Sequence, residues 1–190
     1  MESPHPQNPT WNPALEQIIK KEAEQSQSLY KLHYRSQTIA ARKNDYLAIP
    51  AIVLGVITGF LQGGASESMS PYLLGSLSIF VAVLNTITNY FKYAQRAEGH
   101  RVAALHYLKT YKTLEIELSL PPEQRTPAED LLKNIKDTLT RISETAPQIA
   151  EAAITDHKKI IHGKPVAVPL VANGVESVQI YSAGRAVISV

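Results

Sequence analysis

The sequence predicts an all-α membrane protein: a two-span helical hairpin on long amphipathic stalks, with a third packed helix and a short β-prone C-terminal tail. Three observations carry this. Residues 46–91 hold one charged side chain, Glu67, in a chain that is 19% charged overall. Glu67 divides the run into two stretches, each long enough to cross a hydrocarbon core of about 30 Å. Between them lies Gln62-Gly63-Gly64-Ala65-Ser66-Glu67-Ser68-Met69-Ser70-Pro71, a polar turn built from helix breakers. The spans are therefore placed at about 46–63 and 71–91. A buried hairpin in a soluble bundle is the competing reading, and uncharged runs of this length count against it.

Residues 1–12 contain prolines at 4, 6 and 9 and form an extended lead-in. A helix starts at Asn12-Pro13, with Asn12 as cap and Pro13 at the first helical position, where its missing N–H costs nothing. Nothing breaks it before residue 50, and Leu15, Ile18, Ile19, Glu22, Ser26, Leu29, Leu32, His33 and Ile39 form an incomplete stripe at helical spacing. This stalk would project about 50 Å from the membrane and is too polar to stand without a partner helix.

Pro50 sits near the start of the first span and is expected to bend it. Ala51, Gly55, Gly59 and Gly63 recur every four residues, a small-residue track that admits another helix backbone, from the second span or from another chain. In the second span Ser78, Asn85 and Asn89 are placed on one face, with Ala82 and with Thr86 and Thr88 beside it. Two amides are costly against lipid, so this face either bonds across the hairpin, to Thr58 or backbone, or lines an oligomeric pore. The second stalk runs on from Lys92 to about residue 118, with Ala94, Ala97, Ala104, Leu105, Leu108, Tyr111, Leu114 and Leu118 as its stripe, and is the antiparallel partner of the first. The expected helical hairpin with its stalks thus occupies 13–118.

Pro121-Pro122 ends that helix. Thr126-Pro127-Ala128-Glu129 reads as a capping box opening a helix over 126–161. Leu131, Leu132, Ile135, Leu139 and Ile142 give it an apolar face folded on the stalks, with an interruption at Pro147 and a short helix from about 148 to 157. From 163 to 190 the character changes. Val166, Val168, Leu170 and Val171 precede Asn173-Gly174, and Val175, Val178, Ile180 and Tyr181 follow, the pattern of a β-hairpin.

Charge distribution orients the hairpin. Lys31, Arg35, Arg42 and Lys43 precede the first span, Lys92, Arg96 and Arg101 follow the second, and the turn has no Lys or Arg. Both termini are thus expected on the cytoplasmic or equivalent side of a multi-pass membrane protein. Arg42, Lys43, Lys92 and Arg96 form a basic collar at the membrane interface, attractive to anionic lipid, and Tyr30, Tyr34, Tyr90 and Tyr93 suit an aromatic headgroup belt. No cleavable signal peptide is expected from the polar, proline-rich first 45 residues. The net charge of +2 is too mild to argue for nucleic acid. With zero cysteines there are no disulfides and no thiolate chemistry.

The sequence offers no phosphate loop, nucleophile elbow or zinc-protease motif, and Glu115 and Glu117 do not face each other on a helix. No enzyme, cofactor or metal site is expected. His33, His100 and His106 lack metal-ligand spacing and are expected as polar residues between the stalks.

Trp11, the helix with Leu29-Tyr30-Lys31-Leu32-His33 and Lys43-Asn44, the run Ile49-Pro50-Ala51-Ile52-Val53-Leu54 with Gly59, then Gly99-His100-Arg101 with Tyr107, Arg125, and Ala146-Pro147-Gln148-Ile149 follow one another in a characteristic order. Over about residues 11–154 the chain resembles the SLATT family of two-transmembrane domains, associated with nucleotide-sensing conflict systems, in the form found in large DNA viruses. The resemblance implies a membrane effector that oligomerises and forms pores, with no catalytic residues to carry over. The Gly63-Gly64 turn with its single acid and the long tail depart from that pattern. The tail leaves open a structural role, in which stalks and tail would bind a protein partner and tie a virion inner membrane to a protein shell.

Overall fold

The computed structural model describes residues 11–64 and 70–173. The first helix, α1, runs Pro13–Gly64, 52 residues without a break, straight through Pro50. Asn12 caps it: its Oδ1 accepts the Leu15 N–H at 2.9 Å. Two further helices follow, α2 over Pro71–Phe91 and α3 over Tyr93–Ser119. A 3-10 turn at Pro122–Gln124 leads to α4, Ala128–Thr145, then α5, Glu151–Ile161, and one helical turn, α6, Leu170–Asn173. All regular elements among the described residues are helical.

α1 and α3 pair antiparallel as the stalk, and α2 folds back along the apolar end of α1. α4 returns along α3 and α5 lies on α1. At the far tip Leu15, Ile19 and Ala23 of α1 meet Leu114 of α3 and Ala128, Leu131 and Ile135 of α4 in one core, with Trp11, Tyr111 and Leu118 packed against it. The stalk therefore finds the partner its incomplete stripe requires. The apolar ends behave oppositely. In the most apolar window of each long helix only 11% and 0% of the residues are buried, and Ile52, Val56, Phe60, Ile79 and Phe80 stand open. Two helices are thus long and apolar enough to span a membrane, and their apolar surface is not taken up by a protein core.

Several expectations are corrected. The second span and second stalk are not one helix: Lys92 adopts a left-handed backbone, φ 50 and ψ 41, which costs a side-chain-bearing residue about 1 kcal/mol. The expected interruption at Pro147 is present, with Ala146 extended before it, and the short helix beyond it runs Glu151–Ile161 instead of about 148–157. Thr126 forms no capping box; its N–H and hydroxyl both bond the Glu117 carboxylate, at 3.0 and 2.8 Å. The first arm of the expected β-hairpin is not a strand. The Ala167 N–H is taken by Glu24 at 2.9 Å, the Val168 carbonyl accepts from Gln25, and Pro169 starts the turn of α6. Side chains of α1 satisfy the backbone that a strand partner would have satisfied. The second arm, from Gly174 to Val190, lies outside the described residues.

Gly99 lets α3 and the link before α5 approach. A Cβ there would fall 2.7 Å from Pro147 Cγ, an atom of a rigid ring. Gly99→Ala is therefore expected to cost about 1–3 kcal/mol, while Gly75→Ala, where nothing of the same chain lies within 4 Å, should not lower the stability of the monomer's fold. Chemical denaturation of the two variants in detergent measures the difference.

Candidate functional site

The hairpin of α1 and α2 interlocks through Ala51, Leu54, Gly55 and Thr58 on one side and Leu74, Leu77, Ser78, Val81, Leu84 and Thr88 on the other, each of them buried or half-buried. Gly55 belongs to this contact, since a Cβ on it would touch Val81 Cγ1 at 3.9 Å. Gly59 and Gly63 do not share this role, as nothing lies within 4 Å of either. The reason is geometric. A four-residue repeat precesses by about 40° per step on an α-helix, so a track that starts in the interface at Ala51 has turned out of it by Gly59.

The polar face also divides. Ser78 is half-buried toward α1, whereas Asn85 and Asn89 are exposed. The hydroxyls here bond their own helices: Thr58 to the Leu54 carbonyl, Ser78 to Leu74, Thr86 to Ala82 and Thr88 to Leu84. One polar contact crosses the hairpin among the described residues, Gln62 Nε2 to Ser78 Oγ at 3.5 Å. Among the described residues the expected amide bridge to Thr58 does not form, and Asn85 and Asn89 have no partner.

What the hairpin does bring together is a face. Gly75, Ala82 and Asn89 recur every seven residues, with Ser78 and Asn85 as a second such pair, and seven residues return nearly to the same side of a helix. In antiparallel helices the direction that carries α1 from its interface toward Gly59 and Gly63 carries α2 toward Ala82 and Asn89, so both sets lie on one side of the hairpin. Gln62, reaching Ser78 from that side, fixes the correspondence. The opposite side is apolar, with Val53, Ile57 and Phe60 beside Leu73 and Phe80. Sequence reasoning found the amides and the glycines but not their alliance; the heptad spacing of Gly75, Ala82 and Asn89 was the available signal.

The interface residues sort similarly. Tyr46 and Tyr90, beside the ends of the two apolar segments, are 80% and 79% exposed and suit a headgroup belt. Tyr34 lies about 18 Å further along α1 and does not belong to it. In the collar, Arg42 and Lys43 are exposed on α1, Lys92 is the left-handed junction, and Arg96 follows one turn later. Lys43 Nζ stands 5.8 Å over the Tyr93 ring.

Between the stalks, His33 and His100 are buried with their Nδ1 atoms 3.0 Å apart, and Tyr107 stacks on His33 at 5.5 Å between centroids. His106 is exposed and is not part of this interface. His157 of α5, not anticipated, is buried, and its Nε2 has no protein partner; the clue was its place four residues after Ala153 on the inner face of α5. Burial pushes His33 down to about 4, with His100 adding to the effect. Burial and then Arg96 lower His100, and burial and then Lys31 lower His157. With both rings neutral, one Nδ1 carries a proton and the other accepts it. No group of three or more side chains suited to a metal ion occurs among the described residues.

A pH dependence follows. The unfolded chain takes up protons at these histidines near pH 6.5, and the folded chain resists until lower pH, so stability is complete above 6.5 and falls between 6.5 and about 4. For His33 alone the loss is on the order of 3 kcal/mol at the acid end. Thermal unfolding from pH 7.5 to 4.5 should show the decline, and His33→Gln with His100→Gln should flatten it. A decline of equal slope in that double variant would place the acid lability elsewhere.

No family model, curated protein or solved structure matches the chain.

Proposed function

We propose that this chain is a non-enzymatic integral membrane protein that spans the bilayer twice, oligomerises through the small-and-amide face of its hairpin, and acts as a pore-forming or membrane-perturbing effector. The observation that carries the proposal is Asn85. It lies about 10 Å inside Lys92 along the helix, exposed on the hairpin and, among the described residues, without a hydrogen-bond partner. At that depth an unpaired amide facing lipid costs several kcal/mol, whereas a second copy or a file of water satisfies it. Gly59, Gly63, Gly75 and Ala82 beside it let backbones of neighbouring copies come close. The uncovered apolar belt and the tyrosines at its edge support the membrane setting, with both termini on the side of the basic collar. The resemblance to SLATT domains points the same way.

The test is reconstitution of the purified chain in liposomes, with oligomer size from crosslinking and dye or ion release recorded together. Release should rise faster than linearly with protein-to-lipid ratio, as assembly requires. An oligomer that never releases dye would overturn the effector role and leave the hairpin as an anchor in a structural membrane protein.

A further inference from the structure

Where the stalk meets the apolar hairpin, a cavity of about 410 Å³ opens between α1, α3 and the extended link that precedes α5. Lys43 of α1 and Arg96 and His100 of α3 line it, and no Asp or Glu does. Among the described residues neither Lys43 nor Arg96 has a carboxylate partner. His100 is 4% exposed, and its Nδ1 is committed to His33, which leaves its Nε2 without a protein partner at the cavity wall. Ala150, the residue capping α5, completes the wall, so the positive end of that helix adds to the field. Lys43 and Arg96 thus face the cavity as cations without a counterion, beside a neutral His100 that burial first, and Arg96 second, hold below its usual range.

The height of the cavity narrows its occupant. Lys43 lies about 5 Å before Tyr46 along α1, and Arg96 about 8 Å beyond Phe91 along α3, which is the headgroup zone if 46–91 fills the hydrocarbon. We propose that this cavity binds a phosphate oxyanion, with Lys43 and Arg96 as its cations and His100 Nε2–H as a donor. The tautomer required is available, since His100 Nδ1 can accept from His33 when Nε2 holds the proton. The phosphate is that of an anionic lipid or of a soluble phosphate compound. The soluble case does not depend on the membrane reading above; the lipid case does.

Full-length chain in neutral detergent is titrated calorimetrically with inorganic phosphate and, separately, with micellar phosphatidic acid against a phosphatidylcholine blank. At least one probe should saturate, and which one does identifies the source. K43Q/R96Q should weaken binding about tenfold or more, as the loss of charged hydrogen bonds predicts. K133Q/K136Q, which removes two exposed cations of α4 that do not line the cavity, should change it less than twofold. Lys43 and Arg96 are exposed and neither is ion-paired among the described residues, so K43Q/R96Q, which gives up only the Lys43 contact with the Tyr93 ring, should unfold within a few degrees of the wild type. Saturation by neither probe, or equal weakening in K133Q/K136Q and K43Q/R96Q, overturns the site. Neither result bears on conductance, so its failure is distinct from that of the effector reading.

Discussion

Arg125→Ala should open the far tip of the stalk and cost about 3–4 kcal/mol. The side chain is 8% exposed and ion-pairs with Glu16 at the start of α1. Its Nε donates to the Leu120 carbonyl at 2.8 Å, an Nη to the Leu118 carbonyl at 3.4 Å, and its guanidinium lies 4.7 Å over the Trp11 ring. Both carbonyls lie at the C-terminal end of α3, where a helix runs out of its own donors. One side chain thus caps α3, pairs with α1 and covers the tryptophan, whose own Nε1 donates to the Thr126 carbonyl at 3.0 Å. Truncation removes all three functions together. Arg125→Lys should recover less than half of the loss, because an ammonium cannot spread donors in the plane of a guanidinium or stack as well. Denaturant unfolding followed by Trp11 fluorescence measures both variants. A loss under about 1 kcal/mol for Arg125→Ala, the size of one ordinary hydrogen bond, would show that the apolar core around Ile19 and Leu114 holds the tip unaided.

The residues of the resemblance meet in space. Trp11 lies under Arg125, His33 between His100 and Tyr107, and Gly99 against Pro147. Their order along the chain was legible, but their pairing was not, since it joins positions far apart in the sequence.

What was legible is what depends on local or whole-element properties. The uncharged run marked both apolar helices, Asn12-Pro13 marked the start of α1, and Pro147 the end of α4. Failures fall where a long-range contact overrode a local rule. Glu117 took Thr126 from its capping box. Glu24 and Gln25 took the backbone of a β-prone segment. Lys92 turned left-handed with no glycine to announce it. The small-residue track shows a different failure, one of phase. Spacing by four looks like a stripe in sequence, but it spirals away from the interface by about 40° per step, so Gly59 and Gly63 joined a different surface from Ala51 and Gly55.

Asn85→Leu with Asn89→Leu should leave a folded oligomer and reduce ion flux to that of protein-free bilayers. Both amides are exposed and, among the described residues, bond nothing across the hairpin, so the hairpin should survive their loss. Asn89 is about 5 Å from Lys92 along the helix and Asn85 about 10 Å, so in the proposed pore one would stand at the mouth and the other inside. Leucine at both positions would replace wet amides by an apolar constriction, and such constrictions close by dewetting. Ser78→Ala is the matched control: Ser78 faces α1 and bonds the Leu74 carbonyl of its own helix, so flux should be unchanged. If the amides instead bond copy to copy, the double change removes about 1–2 kcal/mol per pair from assembly, and crosslinked oligomer disappears with the flux. Planar-bilayer recordings paired with crosslinking separate the two. Flux that persists at wild-type level in an intact oligomer of the double variant would remove the amide face from any conducting path, however well the chain assembles.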